Sequence, residues 1–298
     1  MPHVAFIPLT GLRVREEELR AMGMRLPGLR QRAMAVAELP SLGLLTLAGM
    51  LPDEWTCSYR PVARCDDELV ERIVNERPTV VAVSALTASI GEAYRLSQRL
   101  RNENLSVVLG GLHATTCHAE ATRFFDAVVV GEGEPVWLDL LSDAITNSLR
   151  PVYRASDADR HERWAVPRCD LLGALAPPRL TLQTQRGCPL ACEFCGATRM
   201  LGRFREKPIA AIRRELAATH QIMDRPLVEL ADDNTFAGTR NTDELLDVLE
   251  ESGIRYFTEA DWRTSRSIDT ACPIGMLSSA DRYRVVDIPL SWNGKQEC

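Results

Sequence analysis

The sequence predicts an α/β protein of two domains, each built from parallel strands with helices between them. Two observations carry this prediction. Residues 1 to about 149 alternate short β-rich runs with amphipathic segments, and a second alternation of the same kind begins at Arg179. The length points the same way, since 298 residues hold about two domains of roughly 150 residues each.

In the first half the expected strands are Val4 to Pro8, Trp55 to Tyr59, Thr79 to Ser84, Ser106 to Leu109 and Ala127 to Val130. Helical patterns occupy Leu42 to Leu51, Asp67 to Glu76, Ile90 to Asn102 and Ala119 to Phe125, and a further one runs from Glu134 to Asn147. Within Ile90 to Asn102, the positions Ile90, Tyr94, Leu96 and Leu100 recur at the helical period rather than the strand period. Ser41 and Asp66 stand where N-caps belong. Strands alternating with helices form a parallel sheet covered on both faces, and such sheets bind ligands at the carboxyl ends of their strands.

Small residues gather at those ends. Ser84-Ala85-Leu86-Thr87 follows the third strand, Gly110-Gly111-Leu112-His113-Ala114-Thr115 the fourth, and Gly131-Glu132-Gly133-Glu134 the fifth. Glycine lets backbone approach a ligand with no Cβ in the way. Any one of these loops alone is better explained as a tight turn, but three on one rim suit a large flat ligand. No G-x-G-x-x-G stands at a strand-to-helix junction, so a dinucleotide site is not indicated.

Residues 150–178 interrupt the alternation with a charged stretch, Asp157 to Arg163, and with Pro167, Pro177 and Pro178, and are expected to be a linker. The second series then runs as strand Arg179 to Gln185, helix Pro208 to Met223, strand Leu227 to Leu230, helix Thr242 to Ser252 and strand Arg255 to Thr258. It fits part of a βα barrel over 179–298.

Composition narrows the function. With 35 Lys and Arg against 41 Asp and Glu, the net charge is −6, which argues against nucleic-acid binding. The most apolar stretch, Leu39 to Leu51, is too short and too interrupted to span a bilayer. The N-terminus has no signal-peptide pattern. Nine cysteines in such a chain point to a reducing cytoplasm and to metal ligands or reactive thiols rather than bridges.

Three of them, Cys188, Cys192 and Cys195, fall within eight residues directly after a strand, spaced C-x3-C-x2-C. Soft thiolates select zinc, copper(I) or iron–sulfur clusters. Structural zinc usually takes four ligands, whereas a cubane held by three thiolates leaves one iron open to a small molecule. A Cys3His zinc site completed by His161 or His220, or a cluster closed by Cys169 or Cys272, remains compatible with the spacing.

Gln185-Arg186-Gly187-Cys188-Pro189 together with Phe194-Cys195 resembles the radical S-adenosylmethionine (SAM) enzymes. Leu227 to Phe236, with Asp232-Asp233-Asn234 at its turn, is similar to the second strand and loop of members that carry a cobalamin-binding domain. Pro40 to Leu44, Gly110 to Thr115 and Gly131 to Glu134 resemble that cobalamin domain, so the likeness extends over about residues 1 to 268.

The resemblance implies a Rossmann-like (flavodoxin-like) cobalamin-binding domain over 1–149 and an incomplete radical SAM (β/α) partial barrel over 179–298, with 269–298 atypical. It implies a [4Fe–4S] cluster on Cys188, Cys192 and Cys195, whose open iron chelates SAM. An electron from a flavodoxin or ferredoxin then releases a 5′-deoxyadenosyl radical that acts on a small-molecule substrate. Phe194, Asp232, Asp233 and Asn234 would contact SAM, although Asp-Asp-Asn-Thr is also ordinary turn chemistry. Ser84, Thr87, Gly110, Gly111, Gly131 and Glu132 would contact cobalamin. The Asp-x-His-x-x-Gly with which cobalamin mutases and methyl carriers ligate cobalt through histidine is missing, so no histidine is expected on cobalt; His113 and His118 are expected as loop or helix-surface residues, with His113 near the corrin.

The activity expected from the resemblance is methyl transfer to an unactivated carbon. Ring formation or rearrangement is the runner-up. The loss of resemblance near residue 268 makes a C-terminal truncation a further expectation, and with it a non-catalytic fragment that still binds cobalamin or a cluster.

Overall fold

The structure, a computed structural model, describes residues 1–9, 40–62, 64–155, 164–175, 180–190, 195, 203–223, 226–258, 275–277 and 285–287. The chain divides into two units, Met1–Pro177 and Pro178–Cys298.

The first unit is organised around β1, His3–Leu9, whose residues after His3 are all buried. That unbroken apolar run follows from helices covering both faces of the sheet. With β2 (Thr56–Tyr59), β3 (Val80–Ala85), β4 (Val107–Gly110), β5 (Ala127–Val130) and β6 (Val152–Arg154) it forms a six-stranded parallel sheet in the order β2-β1-β3-β4-β5-β6. The order reverses between β1 and β3, the switch point at which such sheets open a ligand crevice. Alternate side chains leave the sheet on opposite sides. Ile7, Val81, Val83 and Leu109 pack in one core with Leu96 and Leu100, while the Phe6 ring lies 5.8 Å from the buried Trp137 ring.

Both expected caps are present. Helix α1, Leu42–Ala48, begins at Ser41, whose hydroxyl accepts from the Leu44 N–H at 3.5 Å. Helix α2, Asp67–Glu76, begins at Asp66, whose carboxylate accepts from the Leu69 N–H at 2.8 Å. Each satisfies a donor that the first helical turn leaves open. Helix α3 occupies Ile90–Asn102 as its periodicity predicts, with Arg99 and Arg101 in its last turn, where cations suit the dipole.

Two segments differ from expectation. The helix expected over Ala119 to Phe125 is the shorter α5 (His118–Ala121), and the expected loop after β4 itself contains a short helix, α4 (Leu112–Thr116); the two are parted where the backbone leaves helical values at Cys117. The larger difference is the expected linker at 150–178. Its beginning is β6, paired to β5, with Tyr153 buried and its hydroxyl donating to Asp143 at 2.7 Å. Further on, the Arg168 N–H donates to the Leu45 carbonyl at 3.0 Å. The Val166 carbonyl approaches Gly49 so closely that a Cβ there would lie 2.1 Å from its oxygen. Polar composition suggested a free strap, but among its described residues β6 and Arg168 bond to backbone groups of the first unit.

In the second unit β7 (Leu180–Leu182), β10 (Leu227–Leu230) and β11 (Arg255–Phe257) form a parallel sheet in the order β11-β10-β7. Helices α6 (Ile209–His220) and α7 (Thr242–Glu251) supply Ile212, Leu216, Leu245 and Leu249 to a core with Leu182, Val228 and Leu230. The expected strand Arg179 to Gln185 stops at Leu182. Gln185–Arg186 instead form β8, which pairs antiparallel with β9, Arg205–Glu206. In the atypical region, β13, Val285–Asp287, pairs antiparallel with β12, Gly275–Leu277, rather than extending the parallel series. Among the described residues no helix is long and apolar enough to cross a membrane.

Candidate functional site: a small-residue rim and a pinned thiol loop

In the first unit the three small-residue loops follow β3, β4 and β5 at the carboxyl edge of the sheet. Ser84 and Gly110 sit opposite each other in the β3–β4 ladder. Gly111 has φ +100, and a Cβ on it would lie 3.0 Å from the Ser84 hydroxyl oxygen. The positive φ demands glycine. The Thr115 hydroxyl donates to the Gly111 carbonyl at 3.0 Å and accepts from the Gly131 N–H at 3.0 Å, tying the loop after β4 to the one after β5. Gly131 also has positive φ, +83, and Glu132 beside it is half-buried. Thr87 is exposed on the same rim. Gly111→Ala is expected to destabilise the full chain by about 1–3 kcal/mol, the usual size of such backbone strain. Urea unfolding measures this, and an unchanged midpoint would contradict the reading.

His113 departs from the expectation of a loop or helix-surface residue. It is buried at 3% exposure. Its ring nitrogens lie 3.2 Å from the Tyr94 hydroxyl and 3.2 Å from the Thr87 hydroxyl. Helix α4 begins immediately after Gly111, which turns this histidine inward toward α3. Tyr94, read from the sequence only as part of an apolar stripe, stacks on Phe124 with ring centroids 4.0 Å apart and donates to Glu120 at 3.0 Å. A tyrosine on a buried helix face needs a partner for its hydroxyl, which is the sequence signal that points to such a role.

In the second unit the cysteine loop rises from β8 and returns through β9. Gly187, with φ +72, makes the turn into Cys188. Cys188 and Cys195 are half-buried; Cys192 and Phe194 lie outside the described residues. Both feet of this loop are fixed by buried polar groups. On the outgoing side, one Asp232 oxygen accepts from the Thr184 N–H at 2.8 Å and the Gln185 N–H at 3.0 Å. Its other oxygen accepts from the Thr184 hydroxyl at 2.6 Å and the Thr235 hydroxyl at 3.1 Å. This arrangement explains why the strand ends at Leu182: the next N–H groups bond to a carboxylate instead of a neighbouring strand.

The same arrangement leaves Asp232 no open lone pair for the SAM contact expected of it. A carboxylate has about four lone-pair sites, and all four are occupied. Burial pushes its carboxyl up, and the hydrogen bonds from Thr184, Gln185 and Thr235 oppose that shift. Asn234 is also buried, its backbone carbonyl accepting from the Gln185 side-chain amide at 2.6 Å, whereas Asp233 is exposed.

The returning foot depends on residues that no motif announced. The Lys207 N–H donates to the Thr184 carbonyl at 2.9 Å, and the Lys207 ammonium pairs with Glu215 at 2.5 Å, both side chains buried. Burial lowers the Lys207 pKa and raises that of Glu215, each countered by the other's charge. Glu206 accepts from the Arg240 N–H at 2.8 Å and the Thr239 hydroxyl at 3.0 Å, and Arg240 donates to the Thr184 carbonyl at 2.6 Å. Gly238 packs directly against the Glu206 carboxylate, where a Cβ would force that side chain to shift.

Fold and site together define a class: a two-unit α/β protein with a flavodoxin-like sheet and a small-residue rim in one unit and a thiol loop at a strand end in the other. The family model described as "B12 binding domain" matches residues 32–141. The chain is 29% identical over 187 residues to bacteriochlorophyllide d C-12(1)-methyltransferase of Chlorobaculum tepidum, covering 59% of this chain and 41% of that protein. It is 29% identical over 245 residues to the uncharacterized methyltransferase sll1242 of Synechocystis sp., covering 78% and 43%. OxsB, a solved structure described as a cobalamin-dependent S-adenosylmethionine radical enzyme, shares the fold with a TM-score of 0.63 at 16% identity, over 91% of this chain and 40% of that one. Residues 32–141 thus match the B12-binding domain family, and the chain as a whole is similar to these methyltransferases. It spans less than half the length of these two relatives.

Proposed function

We propose that this chain carries the cobalamin- and cluster-binding portion of a radical SAM methyltransferase acting on a carbon centre of a small molecule. The observation that carries the proposal is one chain holding both a B12-binding domain with a small-residue rim and a C-x3-C-x2-C loop whose two feet are fixed. When bound, the [4Fe–4S] cluster, SAM and cobalamin supply the one-electron and methyl-transfer chemistry, and the protein's work is to bind, orient and shield them.

The donors present suit those groups. Cys188, Cys192 and Cys195 offer soft thiolates to iron. Asp233 presents an exposed acceptor beside the β10 strand end, suited to the SAM ammonium, with Asn234 next to it and Phe194 offering an aromatic face. Ser84, Thr87, Gly110, Gly111, Gly131 and Glu132 form the rim for the corrin or its nucleotide tail. His113, hydrogen-bonded on both ring nitrogens, supports that rim and leaves cobalt without a ligand from it. Electron delivery by a flavodoxin or ferredoxin, in a reducing cytoplasm, belongs to the same reading.

Anaerobic reconstitution with iron, sulfide, SAM, cobalamin and a reductant tests it. Wild type is expected to assemble one [4Fe–4S] cluster per chain and to release 5′-deoxyadenosine. Cys188→Ala, Cys192→Ala and Cys195→Ala should each lose the cluster while Cys57→Ala keeps it. Equal iron content in all four variants would refute the ligand assignment, and a cluster that yields no 5′-deoxyadenosine would favour a binding role without catalysis.

A further inference from the structure

A chain of hydrogen bonds runs through the first unit from the surface carboxylate of Glu120 to the rim. Its polarity follows from the chemistry of its ends. A carboxylate only accepts, and the Tyr94 hydroxyl donates to Glu120 at 3.0 Å. Burial, and then the adjoining carboxylate, push that hydroxyl up to about 12, which keeps its proton in place. Having given its single proton to Glu120, the Tyr94 oxygen can only accept from His113 Nε2, 3.2 Å away. In an imidazole with one N–H, the other nitrogen then accepts. That nitrogen, Nδ1, faces the Thr87 hydroxyl at 3.2 Å. The Thr87 proton is therefore directed inward, and its remaining lone pairs face outward from an exposed position on the rim.

We propose that the Glu120–Tyr94–His113 chain locks the Thr87 hydroxyl as a hydrogen-bond acceptor, so that the rim selects a ligand presenting an N–H donor, of the carboxamide class, at that point. The inference rests on the reading of this rim as the cobalamin site and deepens it, since the corrin periphery carries primary carboxamides. Tyr94 and His113 are positioning residues here, and Thr87 is the residue that meets the ligand. An acidic group at the same place would set lone pairs against lone pairs and bind more weakly.

The test uses the full chain in two arms. Nitrogen-15 NMR of the histidine-labelled protein reads the His113 tautomer without any ligand. Wild type is expected to show the Nε2–H form. Tyr94→Phe, which retains the ring that stacks on Phe124, is expected to lose that fixed tautomer. An Nδ1–H signature in wild type would overturn the proposal. In the second arm, hydroxocobalamin is compared with its monocarboxylic acids, each with one peripheral carboxamide replaced by carboxylate. At least one acid is expected to bind wild type about tenfold more weakly, the factor equivalent to about 1.4 kcal/mol. This discrimination should disappear in Thr87→Val and return in Thr87→Ser. Equal binding of all acids by wild type, or discrimination unchanged in Thr87→Val, would overturn it. Failure of wild type to bind hydroxocobalamin at all, with the Nε2–H tautomer present, would instead sink the cobalamin reading and leave the polarity of the chain standing.

Discussion

Asp232→Ala is expected to destabilise the second unit by about 2–4 kcal/mol and to abolish cluster assembly although no cysteine is touched. The buried N–H groups of Thr184 and Gln185 would lose their shared acceptor, and each unsatisfied buried donor costs about 1–3 kcal/mol. These groups lie three and four residues before Cys188, so the loss falls on the stem of the thiol loop. Asp232→Asn retains one oxygen able to accept from both N–H groups, and the threonine hydroxyls can turn to accept from the new amide. It should therefore recover most of the stability. Urea unfolding of the full chain together with iron content after reconstitution measures both effects. Were Asp232→Ala to unfold at the wild-type urea concentration and load iron normally, the carboxylate would not be the clamp described here.

The second large effect is expected at the other foot of the loop. Glu215→Ala leaves the Lys207 ammonium buried without its carboxylate, a change that typically costs about 3–5 kcal/mol. Replacing both members by apolar residues of similar size, Lys207→Met with Glu215→Leu, removes the buried charges as well as their attraction and is expected to restore stability to within about 1 kcal/mol of wild type. The Lys207 N–H that donates to Thr184 is a backbone group and survives both changes. The comparison of single and double variants by denaturant unfolding separates a buried ion pair from a mere packing position. A single variant as stable as wild type would show that the pair contributes nothing to the loop's foot.

Much of this architecture was legible in local pattern. The α3 stripe from Ile90 to Leu100 specifies its helix because apolar residues recur at the helical period. Ser41 and Asp66 cap the helices that follow them because their short polar side chains reach back to open N–H groups. The glycines after β4 and β5 mark positions that need positive φ, and the structure has φ +100 at Gly111 and +83 at Gly131. Where prediction failed, the deciding partner lay far along the chain. Val152–Arg154 reads as linker because it is short and flanked by polar residues, yet β5 supplies an edge for it to join. Arg179 to Gln185 reads as one continuous strand because nothing nearby reveals that Asp232, about 48 residues on, takes the N–H groups of Thr184 and Gln185.

By itself the sequence determined which residue types were on offer: three clustered thiols after a strand, small residues at strand ends, and two series of alternating helices and strands. These depend on periods and spacings within short windows, which local sterics and the hydrophobic pattern specify. What each polar side chain does was decided only by tertiary structure. Asp232 could have served a ligand or a turn, and the four donors that converge on it decide for the turn. His113 could have stood on a surface or in a core, and the Tyr94 and Thr87 hydroxyls hold it inside. The physical reason is the same in both cases: a buried polar group must find its hydrogen-bond partners, and those partners come from whichever distant segments the fold brings within about 3 Å.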